Sequence, residues 1–217
     1  MGQYYQAINL TNRLFVSPNG MKLMEHSWIG NSTMDNICRD IEKGNKSFKT
    51  RWIWCGDYAD GEMEEPIYLT RKQLDIYENS SLYDPEYPEI NPYDLCIDKY
   101  WETEVTTEME VNFFSEVKTD PEYSFDYKGK YLINYDKEEY VSFDSLPEHK
   151  YNWDDDDRSW TVHPLSLLMC ISNGRGGGDY HGEAGQDYIG TWANDTIGID
   201  SEIPEYFFEI NPNFQEQ

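Results

Sequence analysis

Residues 48–56 read FKTRWIWCG, from Phe48 to Gly56. Trp52, Ile53 and Trp54 are three consecutive large apolar residues, followed by Cys55 and stopped by Gly56. A short apolar run bounded by polar residues and a glycine is the pattern of a buried strand. A strand of this kind needs neighbours, and the flanking sequence supplies them.

Upstream, QYYQAINL and NRLFVSPNG read as two more strands, the second closed by the turn chemistry of Pro18-Asn19-Gly20. MKLMEHSW reads as a third short strand. GNSTMDNICRDIEKGN reads as a helix: Asn31 or Ser32 caps it, Asp35 sits in its first turn, and Gly44 ends it. Met34, Ile37, Cys38 and Ile41 form its apolar stripe. Downstream, KYLINYDKEEYVSFDSL reads as a hairpin, with strands Tyr131–Tyr135 and Tyr140–Phe143 about a polar turn. YNWDDDDRSW reads as a charged loop, and the run Asp154–Asp157 as a solvated part of it. In WTVHPLSLLMCIS, Pro164 is suited to the first turn of a helix, where a missing N–H costs nothing. YIGTWANDTIGID reads as two strands about Asn194-Asp195, and IPEYFFEIN closes the domain. The expectation is one α+β domain over residues 1–217, dominated by antiparallel strands with few helices. YLTRKQLDIYENS reads as a short helix and YWETEVTTEMEVNFFSEV as a half-exposed strand. Residues 61–127, which hold both, read as an acidic elaboration or insertion on the more regular frame.

Charge narrows the partners. The chain carries 17 Lys and Arg against 42 Asp and Glu, a formal net charge of -25. The imbalance starts after the first strands: residues 1–55 hold seven basic and four acidic residues, residues 56–126 four and twenty. Direct nucleic-acid binding is disfavoured, because it needs Lys and Arg to displace phosphate counterions. An acidic face fits a basic partner or cations, or serves solubility alone. Cys38, Cys55, Cys96 and Cys170 are too scattered for a CxxC site. The start MGQYYQAINL has no basic-then-apolar leader pattern, no apolar run is long enough to cross a membrane, and Gln6 spoils a myristoylation motif at Gly2. The resulting expectation is a cytoplasmic protein with reduced thiols and no contact with membranes.

Two loops carry the chemistry. SNGRGGGDYHG, Ser172–Gly182, has more glycine than a turn requires. Glycines let a ligand approach the backbone, and consecutive N–H groups can form an anion-binding nest. Arg175 adds a planar charged fork suited to phosphate or carboxylate. The ligand-binding candidates are therefore Asn173, Gly174, Arg175, Gly176, Gly177, Gly178, Asp179, Tyr180 and His181. The run matches neither the P-loop nor the dinucleotide fingerprint, and tight packing against aromatics would also explain its glycines. The second loop is WCGDYADGE, Trp54–Glu62, at the end of the strand that opened the reading. It adds Asp57, Tyr58 and Asp60, and its Gly56-Asp57-Tyr58 repeats as Gly178-Asp179-Tyr180. A reaction, if there is one, would draw on Asp57, Asp179 and His181, with a divalent cation as an optional cofactor and no dedicated metal-ligand motif. His26, His163 and His149 lack ligand spacing such as HxH or HExxH; His163 is a second candidate base, and His149 is expected on a surface loop.

The phrases MGQYYQAINL, LMEHSWIGN, WCGDYAD, WTVHPLSLL, NGRGGGDYHG and YIGTWANDTI, with Ile203-Pro204 near the end, together resemble a group of small hypothetical phage and bacterial proteins. The likeness covers about residues 1–60 and 128–205. It implies a phage or mobile-element setting and carries over no catalytic residue. The expected function is an accessory, counter-defence protein that binds a small anionic ligand such as a nucleotide. The alternatives are an acidic inhibitor that mimics nucleic acid toward a basic host protein, a metal-assisted hydrolase or transferase, and a virion structural protein.

Overall fold

The computed structural model describes residues 3–18, 20–59, 75, 78, 92–96, 114–153, 156–172, 180 and 185–214. Its centre is the strand read first, β3 (Thr50–Gly56). On one side β3 pairs antiparallel with β1 (Tyr5–Asn9), from Tyr5 opposite Gly56 to Asn9 opposite Trp52. Beyond β1 lie β2 (Leu14–Val16) and then β4 (Ser115–Glu116), the latter parallel to β2. The other side of β3 is divided. Its first half pairs antiparallel with β10 (Thr196–Asp200), and its second half pairs parallel with β9 (Cys170–Ile171). From β10 the sheet continues through the hairpin β5 (Tyr131–Asn134) and β6 (Glu139–Ser142) to the edge strand β11 (Phe208–Glu209), which is parallel to β6. The nine strands form one mixed, mostly antiparallel sheet, so the strand-dominated α+β reading holds.

The apolar run makes β3 the divider of two cores. Alternate strand residues face opposite sides. Trp52 and Trp54 join the larger cluster with Tyr5, Ala7 and the stripe Met34, Ile37, Cys38 and Ile41. Ile53 and Cys55 join Ile8, Phe15, Leu95, Cys96 and Phe114 on the other face. Leu95, Cys96, Phe114 and β4 belong to the stretch expected to be an elaboration. The described parts of that stretch are therefore built into the frame, whereas most of the helix expected over 68–80 and of the strand expected over 100–117 lies outside the described residues.

Helix α2 (Ser32–Ile41) follows its local signals. The Asn31 side chain accepts from the N–H groups of Thr33 and Met34, and Gly44 takes φ +98° just after the helix. The MKLMEHSW segment is not a strand: Leu23–His26 is a single helical turn, α1. The Glu25 carboxylate accepts from the Lys22 N–H at 2.8 Å, and Ser27 Oγ donates to the Leu23 carbonyl. These short-range bonds outweigh strand propensity because the turn buries Leu23 and His26 together. YNWDDDDRSW is not a loop either. β7 (His149–Trp153) and β8 (Asp156–Trp160) form a separate antiparallel hairpin, with Asp156 and Asp157 of the acidic run in its second strand and His149 on its first; Asp154 and Asp155 lie outside the described residues. The aromatic residues at 151 and 153 have the period of a strand, a signal that the four aspartates obscure. The first half of YIGTWANDTIGID is a series of turns rather than a strand, because Gly190 and Trp192 donate their N–H groups to Leu167 and Leu168. α3 (Pro164–Leu168) begins at its proline as expected. Among the described residues no helix is long and apolar enough to cross a membrane.

Candidate functional site

Parallel neighbours leave a sheet at the same end. Trp54 lies opposite Cys170 and Cys55 opposite Ile171, so Gly56 and Ser172 emerge side by side. The loop Gly56-Asp57-Tyr58 and the start of the glycine run thus share one edge of the domain, where β1 also enters at Tyr5. Loops held at strand ends by a rigid sheet are common homes for binding sites.

The described part of this end is closely tied. Asp57 is clipped to the beginning of β1: its N–H donates to the Tyr4 carbonyl at 2.9 Å, and its Oδ1 accepts from the Tyr4 N–H at 3.1 Å. The Ala59 N–H closes a turn on the Gly56 carbonyl, leaving the Tyr58 ring 52% exposed. Below it runs a buried polar relay. Tyr5 has one hydroxyl proton; donated to Gln3 Oε1 at 2.7 Å, it leaves the phenol oxygen to accept from the Ser172 hydroxyl at 2.9 Å. A Cβ on Gly56 would lie 2.3 Å from Gln3 Oε1, so this glycine lets the relay pass beneath the loop.

The chain returns from the glycine run against the core. Tyr180 meets Phe214 edge-to-face at 5.6 Å, and Gly185, at φ +76°, would bring a Cβ within 2.8 Å of the Phe214 ring. Gly190, at φ +71°, would place a Cβ 2.6 Å from the Cys170 carbonyl oxygen on β9. Gly190→Ala is therefore expected to lose roughly 2–4 kcal/mol in urea unfolding, from left-handed strain plus a backbone clash. Gly44→Ala, with φ +98° and nothing within 4 Å of the added carbon, should lose only about 1 kcal/mol.

Of the candidates read from the sequence, Asp57, Tyr58 and Tyr180 are placed as above. Asn173, Gly174, Arg175, Gly176, Gly177, Gly178, Asp179, His181 and Asp60 lie outside the described residues. His163 is not available as a base. It is fully buried, and its Nδ1 caps α3 by accepting from the Leu165 N–H at 3.2 Å. The proton of the neutral ring is then on Nε2, which faces Cys38 Sγ at 3.2 Å. Burial lowers the His163 pKa to about 3 and pushes the Cys38 thiol far up. The thiolate–imidazolium form needed for nucleophilic catalysis is thus disfavoured on both sides. The same pocket holds Asp35, whose Oδ1 accepts from the Tyr127 hydroxyl at 2.6 Å. Burial raises the Asp35 pKa, against the opposing bond from Tyr127 and backbone bonds at Phe125 and Gly30. The cluster fastens residues 120–127 to α2, with help from Asn36, which exchanges hydrogen bonds with the Asp120 backbone.

His26 is also structural. Its Nε2 accepts from the Trp54 indole N–H at 2.8 Å, and the two rings stack with centroids 5.7 Å apart. Burial lowers its pKa to about 4, while the Lys22 carbonyl favours the charged form. Sequence reading missed both roles, although His163 directly before Pro164 sits where an N-cap is expected, and Asp35 and Cys38 share a helix face. All four cysteines are buried thiols outside any disulfide. Among the described residues no group of three His, Cys, Asp or Glu side chains could hold a metal ion. Comparison of the chain with protein-family models, with curated proteins and with solved structures finds no match to any of them.

Proposed function

We propose that the protein binds a small anionic ligand, a nucleotide being the leading class, at the end of the sheet where β3 and β9 leave it. The observation that carries this reading is the parallel β3–β9 pairing, which sets Gly56-Asp57-Tyr58 beside the first residue of the glycine run. Arg175 follows Ser172 by three residues in the chain and supplies the cationic fork; the run's backbone N–H groups supply the nest. Tyr58, half exposed beside it, offers a face on which a base can stack. The site is read as a binding site, in which Asp57, Asp179 and His181 would contact the ligand. In the phage or mobile-element setting implied by the resemblance, capture of a nucleotide signal would serve counter-defence.

Thermal unfolding with AMP, GMP, ATP, GTP and cyclic dinucleotides tests the reading. The runs are made with and without Mg²⁺, which could bridge a phosphate and the Asp57 carboxylate. A ligand at a hundred times its Kd stabilises the fold by about 2.7 kcal/mol, and for a chain of this size that raises Tm by roughly 5–10 °C. Arg175→Ala should remove most of the rise and Tyr58→Ala part of it. No shift with any of these compounds, or equal shifts in wild type and Arg175→Ala, would sink the proposal.

A further inference from the structure

The sheet ends on one side at β11, and this edge differs from the rest of the surface. Phe208 pairs with Glu139 and Glu209 with Tyr140. The N–H groups of Phe208 and Ile210 donate to the Glu138 and Tyr140 carbonyls. Strand alternation therefore turns the N–H and C=O of Glu209 outward, and among the described residues no strand pairs with them. The edge also shows two aromatic rings to solvent: Tyr206 is 79% exposed and Phe208 70%.

Tyr206 is held out at a cost. Phe207 N–H closes a turn on the Pro204 carbonyl at 3.4 Å, and Tyr206, at the third position of that turn, has φ +75°. That position favours glycine, and a bulky aromatic there is strained. Within the chain the strain gains no packing, because the ring it presents is in water. Strained residues that present a side chain outward are a mark of contact sites.

The charge around the edge selects the partner. Residues 200–214 contain four carboxylates, of which Asp200 and Glu202 pair with Lys43 while Glu205 and Glu209 face no Lys or Arg within the segment, and residues 136–148 contain five with Lys137 as the segment's one cation. Lys137 is already paired with Asp195 at 2.5 Å. Glu138, Glu205 and Glu209 are exposed along the same edge of the sheet, Glu209 on the face opposite Phe208. Carboxylates interleaved with open aromatic faces suit guanidinium groups, which pair with the former and stack on the latter. At the far end of β11, a groove of about 210 Å³ between Leu146, Pro147 and Pro212 can take an apolar side chain of the same segment. A second copy of this chain would bring the same negative edge against itself.

We infer that β11 is a docking edge for an extended, arginine-bearing segment of another protein, which adds to the sheet as a further strand. Its main chain pairs with Glu209, and its arginines lie across Tyr206 and Phe208. This surface is distinct from the anion site: β6, β5 and β10 lie between β11 and β3, a separation of roughly 19 Å at about 4.8 Å per strand.

The test is fluorescence anisotropy of the full chain, near physiological salt, with a labelled peptide of about nine residues alternating Arg and Val, a length that spans one added strand. Wild type should bind it and should not bind the peptide with Glu in place of Arg. Tyr206→Gly suits the positive φ and so keeps the fold; it and Phe208→Ser should each weaken binding about ten-fold. Glu122→Gln, on the loop against α2, and Ser172→Ala, at the anion site, should leave binding unchanged, so failure here is separable from failure of the anion-site proposal. Absence of binding overturns the inference. So does equal binding by wild type, Tyr206→Gly and Phe208→Ser, which would mean attraction to overall charge alone. Self-association of wild type that Tyr206→Gly abolishes would also overturn it, in favour of a second copy at this edge.

Discussion

Lowering the pH from 7 to 4 is expected to remove most of the stability of this protein, and two buried histidines set the window. His26 titrates at about 4 and His163 at about 3 in the folded state, against an ordinary value of 6.5. Both are depressed, so the unfolded chain binds protons first. Their contribution is fully present above pH 6.5 and is lost as the pH falls toward the folded values. Each histidine costs about 1.4 kcal/mol per pH unit within that window, so the pair removes on the order of 5–7 kcal/mol by pH 4. A domain of ordinary stability has only about 5–15 kcal/mol in total. Two effects oppose the loss. Asp35, with its raised pKa, binds its proton more readily when folded, and protonation of surface carboxylates relieves the repulsion behind the net charge of -25. Urea unfolding at pH values between 7.5 and 4.5 should show a midpoint that holds above about pH 6.5 and falls below it. His163→Asn keeps a capping acceptor for α3 and removes one titrating group, so its slope should be about half that of wild type. A flat profile would show that the two rings do not remain neutral in the fold.

Trp54→Ala is expected to be the most damaging single substitution in the sheet. Trp54 is completely buried in the middle of β3, stacked on His26 and bonded to its Nε2. Truncating a buried Trp costs about 3–5 kcal/mol for the lost transfer energy and the cavity. Leaving His26 Nε2 without its donor adds roughly 1–3 kcal/mol. The sum approaches the whole stability of the domain, so the expected result is loss of the cooperative unfolding transition, read by circular dichroism. Trp54→Phe separates the two causes: it retains much of the ring and deletes only the N–H. It should fold with a loss of roughly 2–3 kcal/mol. The lower end of its acid limb should move to higher pH and the total acid loss should shrink, because the neutral form of His26 has lost the bond that favoured it and the folded pKa rises toward 6.5. An unchanged acid limb in Trp54→Phe would contradict the role of His26 Nε2 as acceptor of the Trp54 N–H.

The elements legible in the sequence are those whose signals are local. Asn31, the stripe from Met34 to Ile41 and Gly44 bound α2 within sixteen residues or so of chain, a distance over which capping and periodicity act. The hairpin 131–142, the turn at Pro18 and the start of α3 at Pro164 are of the same kind. α1 and the β7–β8 hairpin were illegible because tertiary contacts or an overriding charge run outweigh their local propensity. His26 and His163 look alike as letters, and only the packed core shows that one receives the Trp54 N–H and the other caps a helix. The sequence by itself determined a strand-rich α+β domain, an acidic surface and two loops that share the phrase Gly-Asp-Tyr. That both loops leave one end of the sheet was decided by the tertiary structure, through the pairing of Trp54–Cys55 with Cys170–Ile171. A strand as short as β9 carries no local signal for a partner more than a hundred residues away. It pairs there because α3 and the turn at Gly190 deliver it to the half of the β3 edge that β10 leaves open.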